Sequence, residues 1–159
     1  MINRRIAVAL PLTGLGLLAC TTMPAPGAPD AIAAEARIID EYIAAYNSQD
    51  MERALAIMAE DIYFEDPTMH LLARNREELR AIIQQGLDSF SEIRLAPFNR
   101  IHASPWTILQ LRLTGTTARP DGQTRRVDVQ GLSLFEIRDV KIVRWYDYFD
   151  ALAIRQQTR

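Results

Sequence analysis

The stretch Arg125 to Asp150, RRVDVQGLSLFEIRDVKIVRWYDYFD, constrains this chain more than any other, because it alternates like two neighbouring antiparallel strands joined at Arg138-Asp139-Val140. Successive side chains of a strand point to opposite faces. Val127, Val129, Gly131, Ser133 and Phe135 therefore share one face of the first strand, and Val143, Trp145, Asp147 and Phe149 share one face of the second. Asp147 falls between two large aromatics. An ionised acid in apolar surroundings is costly unless it is paired or hydrated, and otherwise its pKa rises. This hairpin is expected to form one wall of a pocket, with the rest of the chain supplying the others.

At the other end of the chain, Arg4 and Arg5 precede an apolar run from Ile6 to Ala19 that contains Pro11, Gly14 and Gly16. The run is too short to span a bilayer comfortably and has the layout of a secretory signal. It ends in Leu17-Leu18-Ala19-Cys20, which resembles the lipobox of bacterial lipoproteins. That resemblance implies a signal peptide over residues 1–19 and lipidation of Cys20 as the membrane anchor. Thr21, rather than Asp, follows the Cys, which implies the periplasmic face of the outer membrane of a bacterial cell envelope. Cys20 is the only cysteine, so no internal disulfide can form. Thr21 to Asp30, TTMPAPGAPD, is rich in Pro and reads as a tether, so that residues 20–30 link the anchor to one domain over 31–159.

One domain suits 159 residues of which 48% are hydrophobic. The 18 basic and 20 acidic residues are scattered rather than striped, which argues against nucleic acid as the main partner. Loss of residues 1–19 removes two Arg and takes the net charge from −2 to −4, so no basic patch draws the domain to an anionic surface.

After the tether, Asp30 is expected to cap a helix to about Asn47, with Ile32, Ala36, Ile39, Ile43 and Tyr46 on its apolar stripe and Tyr42 beside them. A short helix follows, about Met51 to Met58, burying Ala54, Leu55 and Met58. Asp61 to Pro67 reads as a strand with Ile62, Phe64 and Asp66 on one face, ended by Pro67. Asp66 at the end of that face is either a pocket acid or a turn-capping acid. Asn75 with Glu78 three residues on predicts a capped third helix to about Ser89, with Leu79, Ile82, Ile83, Leu87 and Phe90 on its buried side. Strands are expected over Ile93–Phe98, Ile101–Ala103 and Trp106–Ala118, then a Pro120-Asp121-Gly122 turn and the hairpin, with Ala151 to Arg159 as a polar tail. Helices first and a strongly curved, mainly antiparallel sheet last make an α+β fold in which about three helices cover one sheet face, leaving a cone-shaped apolar cavity suited to a small molecule.

The chain from Ala31 to Phe149 resembles the nuclear transport factor 2-like superfamily, and within it the SnoaL-like branch. The pieces that carry this are Tyr42, Asn47-Ser48-Gln49-Asp50, Ala59-Glu60-Asp61 leading to Glu65-Asp66-Pro67, Arg76-Glu77-Glu78, Pro120-Asp121-Gly122, and Phe135 through Lys141-Ile142 to Trp145 and Asp147. Ala59 to Leu87 is similar to bacterial ketosteroid isomerases, which implies Asp66 as general base and Tyr42 as donor to the enolate oxygen. That family's second oxyanion donor falls at Gly131. The end of the chain, Trp145 to Asp150, is similar instead to limonene-epoxide hydrolases, which implies roles for Asp147 and Arg112. That family's remaining acid falls at Thr114, and Asp128 lies on the wrong strand to replace it. The resemblance also implies a homodimer.

Two readings stay open. In one, the domain binds a small lipophilic molecule, or another envelope protein, without catalysis, using a pocket lined by Phe64, Gly131, Trp145 and Phe149. In the other, Asp66 or Asp147 is the general base and Tyr42 or Arg112 the electrophilic partner of an isomerase or epoxide hydrolase. Tyr42 fits a core tyrosine as well as a pocket hydroxyl, and Asp147 fits a structural partner of Arg112 as well as a pocket acid. His70 and His102 lack ligand spacing with other candidates, so no metal site is expected, and no cofactor is expected either.

Overall fold

The structure, a computed structural model, describes residues 27–118 and 122–158. The expected signal peptide, Cys20, most of the tether and the Pro120-Asp121 part of the turn lie outside them. The elements run α1 (Pro29–Asn47), α2 (Met51–Ala56), β1 (Met58–Asp66), β2 (Leu71–Ala73), α3 (Arg76–Ser89), β3 (Ser91–Ala103), β4 (Trp106–Ala118), β5 (Thr124–Arg138), β6 (Lys141–Phe149) and α4 (Ala151–Thr158). The strands form one six-stranded sheet in the order β2-β1-β6-β5-β4-β3. All neighbours are antiparallel except β1 and β6, which run parallel, so the fold is α+β with a mixed sheet.

Several local expectations need correction. Pro29 opens α1 behind Ala28, and Asp30 lies inside the first turn rather than capping it. The buried side of α1 is Ala31, Glu35, Ile38, Ile39, Tyr42 and Ala45, a stripe rotated from the expected one, which leaves Ile32, Ala36, Ile43 and Tyr46 half-buried. Met58 belongs to β1 rather than α2, and the helix is capped by Asp50, whose Oδ1 accepts Arg53 N–H at 3.0 Å. The third helix begins as expected: Asn75 Oδ1 accepts Glu78 N–H at 2.8 Å, and Asn75 Nδ2 donates back to Glu78 Oε1 at 3.0 Å. The two strands expected on either side of Asn99-Arg100 are one strand, β3. A register shift between Pro97 and Asn99 lets this edge strand carry a proline. The expected polar tail is helix α4, capped by Asp150 Oδ1, which accepts Ala153 N–H at 2.9 Å, and it packs on β5.

The hairpin turns on two residues, Asp139 and Val140, both at positive φ (49° and 58°), which matches the twist of the strands it joins. A register shift between Glu136 and Ile137 changes the phase of the first pairs. In consequence Ile142 is buried while Val143 is only half-buried, so Val143 leaves the inner face to which alternation assigns it. Beyond that irregularity the faces run as read: Phe135 faces Trp145, Ser133 faces Asp147 and Gly131 faces Phe149.

Candidate functional site

The parallel ladder brings the two candidate acids together. Phe64 pairs with Trp145 and Glu65 with Tyr146, so Asp66 and Asp147 follow one residue beyond the last pair of the ladder, near enough for the Asp66 charge to act on Asp147. Asp66 is 4% exposed and Asp147 is 8% exposed. Tyr42, 2% exposed, reaches the same place from α1, and its ring centroid lies 5.3 Å from Trp145 and 5.0 Å from Phe135.

The two carboxylates have different surroundings. Asp66 Oδ1 accepts three hydrogen bonds from the turn that follows it, from Thr68 N–H (2.9 Å), Thr68 Oγ1 (2.6 Å) and Met69 N–H (2.9 Å). Asp66 therefore caps the turn, the second of its two sequence readings, from a buried position at the end of β1. Asp147 Oδ1 accepts Trp145 Nε1–H at 2.7 Å and the Ser133 hydroxyl. Burial pushes the Asp147 carboxyl up to about 7; the Ser133 and Trp145 donors pull the other way and the neighbouring Asp66 pushes it further up. Burial and then the Asp147 charge raise the Tyr42 hydroxyl well above the usual tyrosine range, and the same causes raise Tyr46. Among the described residues, no hydrogen bond engages Tyr42 Oη, Asp66 Oδ2 or Asp147 Oδ2. Nor are these among the fully enclosed atoms without partners, which are Glu35 Oε2 and Arg76 Nε.

A hollow cone is the expectation from the curved sheet, but rings occupy much of this one. Tyr42, Phe64, Phe135 and Trp145 stack edge-on and tilted at centroid distances of 4.6 to 5.9 Å. A groove of about 510 Å³ lies elsewhere, beside Asn47, Arg94 and Thr116, and another of about 470 Å³ beside Tyr63, Arg138 and Arg144. The lining residues expected from sequence divide accordingly. Phe64 and Trp145 are locked into the core, whereas Phe149 is half-buried. At Gly131 a Cβ would come within 2.2 Å of Phe149 Cδ1 and 2.4 Å of Cε1, so the Phe149 ring covers this position.

Arg112 does not join the site. It alternates with Leu111 and Leu113, which turn inward, so its side chain stands on the outer face of β4, 56% exposed. There its Nη2 donates to Asp128 Oδ2 at 2.8 Å, which makes Asp128, and not Asp147, the partner of Arg112. Two buried polar residues were not singled out from sequence, of which only Ser133 touches the site. Ser133 shares the inner face with Gly131 but has no motif to mark it. Glu35 is 6% exposed and takes the Ser104 hydroxyl, and the 4-3-4-3 spacing of Ala31, Glu35, Ile38, Tyr42 and Ala45 is the signal that could have found it. Among the described residues, no group of three or more His, Cys, Asp or Glu is placed to hold a metal ion, and no helix is long and apolar enough to cross a membrane.

The sequence profile of the SnoaL-like domain matches residues 39–145, which run from α1 into β6. The chain belongs to the SnoaL-like family. Its fold is shared by solved structures of low sequence identity. A candidate polyketide cyclase from Xanthomonas campestris is 19% identical, with a TM-score of 0.73 over 80% of this chain and 98% of that one. A protein with a ketosteroid isomerase-like fold from Catenulispora acidiphila, solved with trimethylamine, is 15% identical, with a TM-score of 0.69 over 76% and 91%. An NTF2-like protein from Burkholderia pseudomallei is 18% identical, with a TM-score of 0.69 over 78% and 96%. No curated protein sequence matches this SnoaL-like chain.

Proposed function

We propose that this SnoaL-like domain binds a small, mostly apolar molecule through one polar group, held at Tyr42, Asp66 and Asp147 in the interior of the cone. The observation that carries this reading is a set of three oxygens on nearly dry side chains, Tyr42 Oη, Asp66 Oδ2 and Asp147 Oδ2, which take no hydrogen bond among the described residues and yet are not fully enclosed, so that a small polar group can reach them. A carbonyl or ether oxygen would accept from the Tyr42 hydroxyl and from a protonated Asp147, while rings surround its apolar part. The test is calorimetric titration of the full chain with a panel of small ketones and epoxides. Asp66→Asn with Asp147→Asn should weaken binding at least tenfold in a chain that stays folded, with a thermal midpoint no lower than the parent's. Unchanged affinity would remove these carboxyls from the function.

A second reading, proton-transfer catalysis, is favoured by the unlike surroundings of the two acids. Asp66, with one oxygen pinned and the other unengaged, is suited to act as base. Asp147, raised to about 7, is suited to donate. This arrangement leans toward the isomerase type, with Asp147 taking over the donor role that Gly131 leaves open. The epoxide-hydrolase type loses its Arg, since Arg112 is spent outside on Asp128. Turnover of a ketone in the panel, lost in Asp66→Asn, is the result this reading requires.

The sequence features at the N-terminus support a lipid-anchored domain in the bacterial cell envelope, tethered from Cys20 at the outer membrane. A second copy of the chain is the partner that the outer sheet face suits. Ile101, Ile108, Leu134 and Tyr146 stand in register across four strands, beside the Leu132–Tyr148 pair. Ile101 and Tyr148 are 48% and 44% exposed. Extracted into mild detergent, the full chain should sediment as a dimer, and Cys20→Ser should move it from the membrane to the soluble fraction. A monomer, or a variant that stays with the membrane, counts against the respective part.

A further inference from the structure

One position on the inner face of the hairpin has no side chain of its own, and it is not empty. Gly131 lies directly opposite Phe149, and the Phe149 ring lies so close over its backbone that a Cβ could not be added without moving the ring. Glycine inside a strand weakens it and marks a site where another group comes close. Here that group belongs to the same chain. The other inner rings are interlocked: Tyr42, Phe64, Phe135 and Trp145 hold one another through ring contacts. Phe149 makes no such ring contact among the described residues; it packs against the edge of that core and is only half-buried. Its neighbour on the inner face is Asp147, in register with Ser133. Alternate residues along a strand are about 7 Å apart. That is roughly the reach from the centre of a six-membered ring, through an attached carbonyl oxygen, to a hydrogen-bond partner.

We propose that the Phe149 ring is a removable plug: it fills a flat slot over Gly131 that is the ring-binding half of the ligand site, and the ligand is a planar ring bearing a carbonyl group, which displaces Phe149 and presents its oxygen to Asp147. This rests on the reading of Tyr42, Asp66 and Asp147 as the polar half of the site. The inner face is then filled in the free protein because the chain holds its own aromatic where the ligand goes. Rotation of one side chain opens the slot; no strand has to move. Apparent affinity is reduced by the fraction of molecules in which the plug is seated, so removing the plug should tighten binding.

The experiment titrates the full chain with acetophenone, and with ethylbenzene as the ring that lacks an acceptor. Phe149→Ala should bind acetophenone about tenfold more tightly than the parent chain. Placing the ring on the opposite strand, with Gly131→Phe and Phe149→Gly together, should refill the slot and return affinity to the parental level or below. In the parent chain, acetophenone should shift the NMR signals of the Phe149 ring and the Gly131 amide, a readout that stands even where Phe149→Ala does not fold. Affinity unchanged in the alanine variant, equal affinity in the alanine and exchanged variants, or bound acetophenone that leaves the Phe149 signals in place would each overturn the plug. The two readings fail separately. If ethylbenzene gains as much as acetophenone in the alanine variant, the plug stands and the carboxyl-lined site falls. If the parent chain prefers acetophenone but the alanine substitution changes nothing, the site stands and the plug falls.

Discussion

Asp128 and Asp147 lie on neighbouring strands and titrate in opposite directions. Asp128, on the outer face of β5, accepts from Arg112, and that charged hydrogen bond lowers its carboxyl from the usual carboxylate value, with desolvation working against it. Asp147, on the inner face of β6, also accepts two hydrogen bonds, from Ser133 and Trp145, yet burial raises it to about 7. The number of donors does not decide the outcome. A cation in water favours the charged form, whereas two neutral donors in a dry interior only reduce the cost of that form. The two faces of one sheet thus give the same residue type two uses: a surface pair outside, and inside an acid that can hold a proton near neutral pH.

The largest test of this contrast is Asp147→Asn. The native pKa of about 7 lies above the 3.8 of a free Asp side chain, so between those values the folded chain holds a proton that the unfolded chain has lost. The stability this confers is complete below about pH 4 and is lost as the pH rises through 7. A gap of about three units corresponds to at most about 4 kcal/mol. Asn keeps an oxygen for the Ser133 and Trp145 donors and removes the titration. In urea unfolding, the parent chain should therefore lose stability from pH 4 to 8 relative to the variant, and the variant should be the more stable protein at pH 8 by roughly 2–4 kcal/mol. Parallel pH profiles would erase the distinction between the two faces.

How much of this was legible follows from where the information lies. The hairpin faces are local, so alternation placed Gly131, Ser133, Asp147 and Phe149 together correctly. The cap of α3 is local too, carried by Asn75 and Glu78. Val143 was misplaced because the register shift at Glu136 leaves no mark in the residue pattern. The α1 stripe was misread because a buried Glu35 breaks the apolar count, and its partner, Ser104, is sixty-nine residues away. The central fact of the site, Asp66 beside Asp147, depends on a parallel pairing of β1 with β6, and no short-range signal carries a contact between strands so far apart in the chain. Arg112 shows the reverse: alternation with Leu111 and Leu113 sets it on the face opposite to them, and only the likeness to another family drew it toward the site.

That last point gives the smallest expected effect. Arg112→Gln removes the cation from the outer pair and leaves every inner side chain in place. The Asp128 carboxyl should then rise toward its ordinary value, because the hydrogen bond and charge that lower it both come mainly from Arg112. Asp147 should still titrate near 7, since the causes of its shift are burial, Ser133, Trp145 and Asp66, with no contribution from Arg112. Carbon-detected NMR of the two carboxyls through a pH series reads both in one experiment. Movement of Asp147 together with Asp128 would mean that the sheet couples its faces. In that case Arg112 acts on the inner site at a distance, and the epoxide-hydrolase reading of that residue regains its footing.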